Sequence, residues 1–281
     1  MRLAVSNIAW DVPQEDEAVA ALLQRYAVDA IDIAPGRYFP EPDQADDAGI
    51  ARVRRWWADW GIEITGMQGL LFGTTGLNLF GAPEVRAAML RHLDAVCRIA
   101  SRLGATRLVF GSPKNRDRTG LTDEQANAAA IDFFRRLGDI AASRGVVICL
   151  EPNPPCYGCN FMTQSAEAAR MVEQLARSAI RMQLDTGAIT INGEDPARII
   201  ETSAHLIGHI HASEPDLVPL GDGGTDHGKV AAALLQACTD HLVSIEMLAT
   251  RSESHLAAIE RALRVAIRHY RGGRSEKGAS V

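Results

Sequence analysis

Short runs of apolar residues alternate with longer stretches whose apolar positions recur at helical spacing, and this alternation continues to about residue 270. Residues 2–7 read as a strand. Pro13 to Tyr26 reads as a helix with Ala18, Val19, Ala21, Leu22 and Leu23 on one side. Ala30 to Ala34 is a second strand, closed by the breaker Pro35-Gly36. Residues 46–60 form the next helix, with Trp56, Trp57 and Trp60 as packing residues, and Ile62 to Met67 is strand three. A glycine-rich loop over 69–81 leads to a helix opening at Pro83, where proline suits the first turn, and ending at Gly104. Thr106 to Phe110 is strand four. Thr122 and Gln125 carry a capping-box signature for a helix over 123–144.

Four more runs follow, each ending on a side chain that can bind a metal or carry a proton. Val146 to Leu150 ends on Glu151, Ile180 to Leu184 on Asp185, His205 to Ile210 on His211, and Leu242 to Ile245 on Glu246. The ends are separated by about thirty residues, the length of one strand with its return helix. Those helices lie near 165–177, 195–204 and 229–238, and a last one spans about 252–270. No linker or low-complexity break interrupts the series. One domain over 1–270 is expected, with a polar, frayed tail over 271–281. Continuous apolar strands buried on both faces argue a parallel sheet. Eight strand-helix units are the number that closes a barrel, so the fold class is α/β, a single (β/α)8 TIM barrel. An open doubly wound sheet would carry a phosphate-binding glycine fingerprint after its first strand, and Asn7-Ile8-Ala9-Trp10-Asp11 is unlike one.

Composition narrows the partners. The chain has 281 residues, 47% of them hydrophobic, enough for a large core. A formal net charge of −6 supplies no field for a phosphate backbone, which counts against nucleic acid. No run approaches the roughly 18 apolar residues of a membrane span, and the first six residues lack the apolar core of a signal peptide. The five cysteines are too few and too scattered for a disulfide framework, so the cytoplasm is the expected compartment.

In a parallel barrel the C-terminal strand ends share one rim, where active sites sit. For any single one of Glu151, Asp185 or Glu246, capping the next helix or a salt bridge is the commoner role. Four consecutive strand ends alter the balance, because unpaired charges crowded at a rim repel and a cation removes the repulsion. Hard oxygen donors with one imidazole and no thiolate suit one divalent ion, Mn²⁺ or Mg²⁺ foremost, with Co²⁺ or Zn²⁺ compatible.

The segments Leu150-Glu151-Pro152-Asn153, Leu184-Asp185-Thr186-Gly187, His209-Ile210-His211 and Ser244-Ile245-Glu246 resemble the sugar-phosphate isomerase/epimerase superfamily of xylose isomerase-like barrels, D-tagatose/D-psicose 3-epimerases in particular. The resemblance covers residues 1–270 in element order, with its specific motifs in 146–250. It implies that Glu151, Asp185, His211 and Glu246 bind one divalent metal, usually manganese, and that Glu151 and Glu246 are also the acid/base pair. A metal bridging a substrate carbonyl and hydroxyl acidifies the intervening C–H and stabilises the enediolate. Two carboxylates on opposite faces then permit inversion, whereas one shuttling base favours isomerisation. The chain departs from the 3-epimerase pattern at two places. A substrate-binding histidine is replaced by Ala188 and an arginine by Leu217, which argues against an ordinary free ketohexose.

Asn153, Gln68 and His209 are the substrate-binding candidates: two amides at strand ends, and a histidine two residues before His211 that points the same way. A core role for His209 competes evenly. Lys114, Arg116 and Arg251 read as solvated rim charges, although each could hold an anion. Cys156 and Cys159 form a lone CxxC, read as loop packing. Residues 221–228 look like a mobile loop over the site, with Asp226 and His227 capping the next helix.

Three classes of function compete. The leading one is a metal-dependent isomerase or epimerase of a small sugar, ketose or polyol. A dehydratase, lyase or hydrolase on the same barrel is the alternative, since fold does not fix reaction. Its endonuclease IV-like branch fits least, because the first four strands end without histidine. A sugar-binding barrel without turnover is the third, disfavoured by the intact ligand set. Dimers and tetramers are common among the resembled proteins, and Phe72 is a residue that could reach a neighbouring copy.

Overall fold

The computed structural model describes residues 1–238 and 240–271. Its elements follow one another as β1 (Arg2–Ser6), α1 (Asp16–Arg25), β2 (Ala30–Ile33), α2 (Asp47–Asp59), β3 (Glu63–Met67), α3 (Pro83–Leu103), β4 (Arg107–Phe110) and α4 (Asp123–Arg144). The second half comprises β5 (Val147–Leu150), α5 (Ser165–Leu175), β6 (Ile180–Asp185), α6 (Thr186–Ile191), α7 (Pro196–Ser203), β7 (Ile207–Ser213), α8 (His227–Ala237), β8 (Leu242–Glu246) and α9 (His255–Ala266). The strands pair in sequence order, all parallel, and β1 closes on β8 through Leu3 opposite Val243 and Val5 opposite Ile245. The expected closed (β/α)8 barrel is the observed one.

Local chemistry accounts for most helix ends. Thr122 and Gln125 make the reciprocal capping box of α4. Gly104 and Gly145 close α3 and α4 at φ of 91° and 69°, which a side chain would resist. Asp195 caps α7 ahead of Pro196 at its first turn. Other boundaries differ from the sequence reading. The helix expected from Pro13 begins only at Asp16, whose carboxylate accepts from Trp10 Nε1 and Tyr38 Oη, both at 2.7 Å. The last helix is capped by Ser254 and passes into a π-helical turn over Ile267–Arg271. Helix α6 was not expected at all. Asp185 nucleates it by accepting from Ala188 N. Of the tryptophan trio only Trp57 is fully buried, edge-on to Trp10. The tail beyond Arg271 lies outside the described residues.

Two register shifts decide what the rim presents. Between β6 and β7, Met182 faces Ile207 but Gln183 faces His209, so Gly208 is an extra residue. Asp185 consequently lies opposite His211. Without the bulge it would face Ile210, whose side chain points to the other side of the strand. Strand β7 also runs on to Ser213, so His211 lies two residues inside it rather than at its end. Between β2 and β3 a similar shift sets Gly66 opposite Asp32.

Gly208 has no room for a side chain, since an added Cβ would stand 2.5 Å from Arg181 Cβ. The substitution Gly208→Ala therefore requires β6 and β7 to move apart, at a cost of about 1–3 kcal/mol. A lower urea-unfolding midpoint, its shift times the m-value matching that cost, is expected, and an unchanged midpoint would show that the bulge tolerates a side chain.

Candidate metal centre and active site

Glu151, the residue after β5, joins Asp185 of β6, His211 of β7 and Glu246 of β8, with one ligand atom from each lying within 4.8 Å of the others. His211 Nδ1 is 3.1 Å from Glu246 Oε2, 3.6 Å from Glu151 Oε1 and 4.0 Å from Asp185 Oδ2. The ring is fully buried and the three carboxylates nearly so. Neither of its nitrogens makes a hydrogen bond of acceptable angle among the described residues, despite the short approach to Glu246.

The electrostatics follow from that crowding. Burial first, then Glu246 and Glu151, push the Asp185 carboxyl up to about 8. Burial alone would make His211 harder to protonate, but Glu246 and Glu151 outweigh it and raise the imidazole well above its ordinary value. Glu246 moves the other way: burial opposes ionisation, and His211 with the Gln68 amide overcomes it. The cluster thus holds protons where a divalent cation would relieve the same repulsion. Three hard oxygen donors, one imidazole and an unpartnered ring nitrogen fit such an ion.

Neighbouring residues fix the carboxylates. Gln68 Nε2 donates to Glu246 Oε1 at 2.6 Å, and Asn153 Nδ2 donates to Glu151 Oε2 at 3.0 Å. Asn153 Oδ1 accepts from Arg116, whose other amino group donates to the Glu151 carbonyl at 2.8 Å. Asp185 is held by Ala188 N at 2.6 Å and Ser213 Oγ at 2.8 Å, so it caps α6 and faces the centre at once. Gly111 is required beside them, because a Cβ there would lie 1.9 Å from Glu151 Oε2.

The predicted residues divide accordingly. The four proposed ligands come together. Asn153 and Gln68 reach the site, but their amides are engaged with Glu151 and Glu246. His209 points inward as its parity requires, yet its Nε2 lies 2.7 Å from Asp32 Oδ2 in the barrel interior, away from the mouth. Sequence reasoning missed Asp32. Burial would raise its pKa, but His209 and His211 bring it down to about 2, and Oδ2 lies 4.0 Å from His211 Nε2. The available signal was an aspartate at an inward position of the run Ala30 to Ala34. Arg116, expected as a solvated charge, is fully buried. Lys114 and Arg251 are exposed as expected. Cys156 and Cys159 are both free, the first exposed and the second buried.

Two cavities open over the glutamates, of about 390 and 360 Å³, and both are lined by Glu151, Glu246, Leu217 and Leu248. The first extends to Asn153 and Tyr157, the second to Arg37, Gln68 and Phe72. A wider cleft of about 850 Å³ between α2, α3 and α4 holds several arginines but none of the clustered ligands.

The loop after β7 is tied down. Glu214 accepts from Gly221 N at 2.7 Å, Thr225 N at 2.8 Å and His227 Nε2 at 3.1 Å, and His227 Nδ1 accepts from Tyr270 Oη at 2.8 Å. A neutral ring satisfies both contacts. Asp226 caps α8 as expected, whereas His227 belongs to this buried chain. Burial would raise the Glu214 pKa, but these donors hold it at about 2 against an ordinary 4.5. A depressed carboxyl stabilises the fold above its unfolded pKa and ceases to do so as pH falls through the folded value. The stability gap between the wild type and Glu214→Gln should therefore be constant above about pH 5 and shrink toward pH 2, as read by urea unfolding across that range. A gap independent of pH would mean that the charge contributes nothing.

The family model described as xylose isomerase-like TIM barrel matches residues 20–271. L-ribulose 3-epimerase of Methylomonas sp. (strain DH-1) is 27% identical over 117 residues, 42% of this chain and 41% of that relative's length. The structure of a D-psicose 3-epimerase in the presence of D-fructose superposes with a TM-score of 0.80 at 17% identity, over 96% of this chain and 99% of that one. An IOLI protein with a bound zinc atom gives 0.76 at 17% identity, over 98% and 100%. At that identity the superpositions speak for the fold, and with the model spanning nearly the whole barrel, the chain belongs to the xylose isomerase-like TIM barrel family.

Proposed function

We propose that this chain is a divalent-metal-dependent epimerase or isomerase of a small sugar, with Glu151 and Glu246 as the acid/base pair. One observation carries the reading: two glutamates, one just past β5 and one at the end of β8, flank His211 and together line both cavities. The likeness to an L-ribulose 3-epimerase and to a D-psicose 3-epimerase supports the substrate class. Glu151, Asp185, His211 and Glu246 would hold the ion. Manganese is the leading choice on donor hardness, with magnesium, cobalt or zinc compatible, and the zinc of the IOLI protein supports a divalent site on this fold. An ion held by these residues would supply Lewis acidity toward the substrate carbonyl.

The chain's own residues do the rest. Glu246, kept ionised by its neighbours and aimed by the Gln68 amide, takes the proton from the carbon beside the carbonyl. Glu151, aimed by Asn153 and through it by Arg116, returns a proton from the other side, which inverts the carbon. Asp185 and His211 hold position. Asn153 and Gln68 can still offer their remaining polar atoms to a hydroxyl, while His209 acts from beneath through Asp32. Among the described residues no helix is long and apolar enough to cross a membrane. Five free cysteines support a cytoplasmic setting.

Dialysis against chelator should abolish solvent-deuterium entry into the best substrate of a panel of ketoses and keto sugar ethers, and Mn²⁺ should restore it. Full exchange after exhaustive metal removal would end the proposal. Glu246→Gln should lower kcat by about 10²–10⁴-fold, the usual worth of an acid/base group. Release of water or a fragment in place of an intact deuterated sugar would transfer the chain to the lyase or dehydratase class.

A further inference from the structure

We infer that the substrate carries an apolar ring or chain at the end remote from its reacting carbons, received by Leu217, Leu248, Phe72 and Tyr157; this rests on the sugar-epimerase reading above. Large apolar side chains are rarely exposed in this molecule. Among the described residues five are, and three of them, Phe72 at 85%, Tyr157 and Leu248 at 50%, line the two cavities over the glutamates. Leu217 joins them from the loop after β7, where Asp216 and Leu217 both adopt left-handed backbone, at φ of 58° and 53°. Two successive non-glycine residues in that region are costly, and such strain persists only where surrounding contacts impose it. Here those contacts are Asp216 N donating to Tyr157 Oη at 2.8 Å, Leu217 N to the Glu214 carbonyl at 3.0 Å, and Leu248 N to the Leu217 carbonyl at 2.9 Å. Loops from β5, β7 and β8 are thereby locked into an apolar collar directly above a floor of carboxylates.

A free ketohexose has oxygen on every carbon. Placed with its far end against Leu217 and Leu248, it would set hydroxyls on two side chains that offer them no hydrogen bond. The Gln68 and Asn153 amides, braced against Glu246 and Glu151, lie on the floor below, where their remaining polar atoms can meet only the reacting end. A keto sugar whose remote oxygen bears an aryl or alkyl group resolves the conflict, with its polar half on the floor and its apolar half on the collar.

The test is calorimetric titration of the manganese-loaded protein with D-fructose and with its 6-O-benzyl ether. The ether should bind at least about tenfold more tightly, or about 1.4 kcal/mol. Leu248→Ser and Phe72→Ser, both at exposed positions, should each reduce that ratio by about threefold or more, with unchanged circular dichroism. Equal or weaker binding of the ether overturns the inference, as does a preference untouched in both variants. It is also overturned if sedimentation finds a dimer in which Phe72 and Leu248 are protected from hydroxyl-radical labelling, since the collar is then an interface. Binding separates this inference from the reading beneath it. Preferential binding without deuterium exchange into either sugar supports the collar and refutes the epimerase. Exchange without preference does the reverse.

Discussion

The convergence of three carboxylates on one buried imidazole is the constraint around which the barrel is built. Like charges held within 4.8 Å of one another and shielded from water repel strongly, and the chain spends much of its polar chemistry containing them. His211 is driven toward its charged form and Asp185 toward its neutral one, so protons partly balance the set. Amide donors from Gln68, Asn153 and Ala188 and the hydroxyl of Ser213 hold the oxygens. The repulsion is the same property that suits the cluster to a cation. A cluster neutralised by internal salt bridges would be more stable and chemically idle.

Holding such a cluster requires backbone accuracy, and glycine supplies it at the places where strands meet the charges. The Gly208 bulge brings His211 level with Asp185. Gly111 lets Glu151 lie against β4, and Gly66 leaves space for the Asp32 carboxylate, which a Cβ would approach to 2.5 Å. Beneath the cluster Asp32 pairs with His209 and lies below the second nitrogen of His211. Asp32 thus approaches His211 from the Nε2 side, while Nδ1 faces the other three groups.

The parts of this arrangement that one strand specifies were legible in the sequence. Glu151, Asp185 and Glu246 each follow an apolar run, and in a parallel barrel every such position shares a rim, so counting runs located them. His211 was found although β7 continues past it, because its inward parity survives the extra two residues. What depends on two distant segments was not legible. Arg116 looks like any loop arginine until the Glu151 carbonyl and Asn153 close around it. His227 resembles a capping residue until Glu214 and Tyr270 claim its two nitrogens. His209 was correctly oriented by parity, but its partner Asp32 lies 177 positions earlier in the chain. The bulge that aligns Asp185 with His211 has no signal beyond a glycine in a strand.

The same division explains how chemistry and specificity can vary separately on this fold. The floor is set by strand register, with Gln68, Asn153 and Arg116 bracing it from just beyond the strand ends. The collar is set by loops after β5, β7 and β8, whose side chains are free to change so long as backbone contacts such as Leu248 N to the Leu217 carbonyl persist. At the two places where the resemblance implies a histidine and an arginine, this chain has Ala188 and Leu217. Neither position is one of the four proposed ligands. The strained backbone at Asp216 and Leu217 shows that the loop is shaped rather than lax there. On the proposed reading, an apolar collar over an intact polar floor leaves the reaction in place and alters what is accepted.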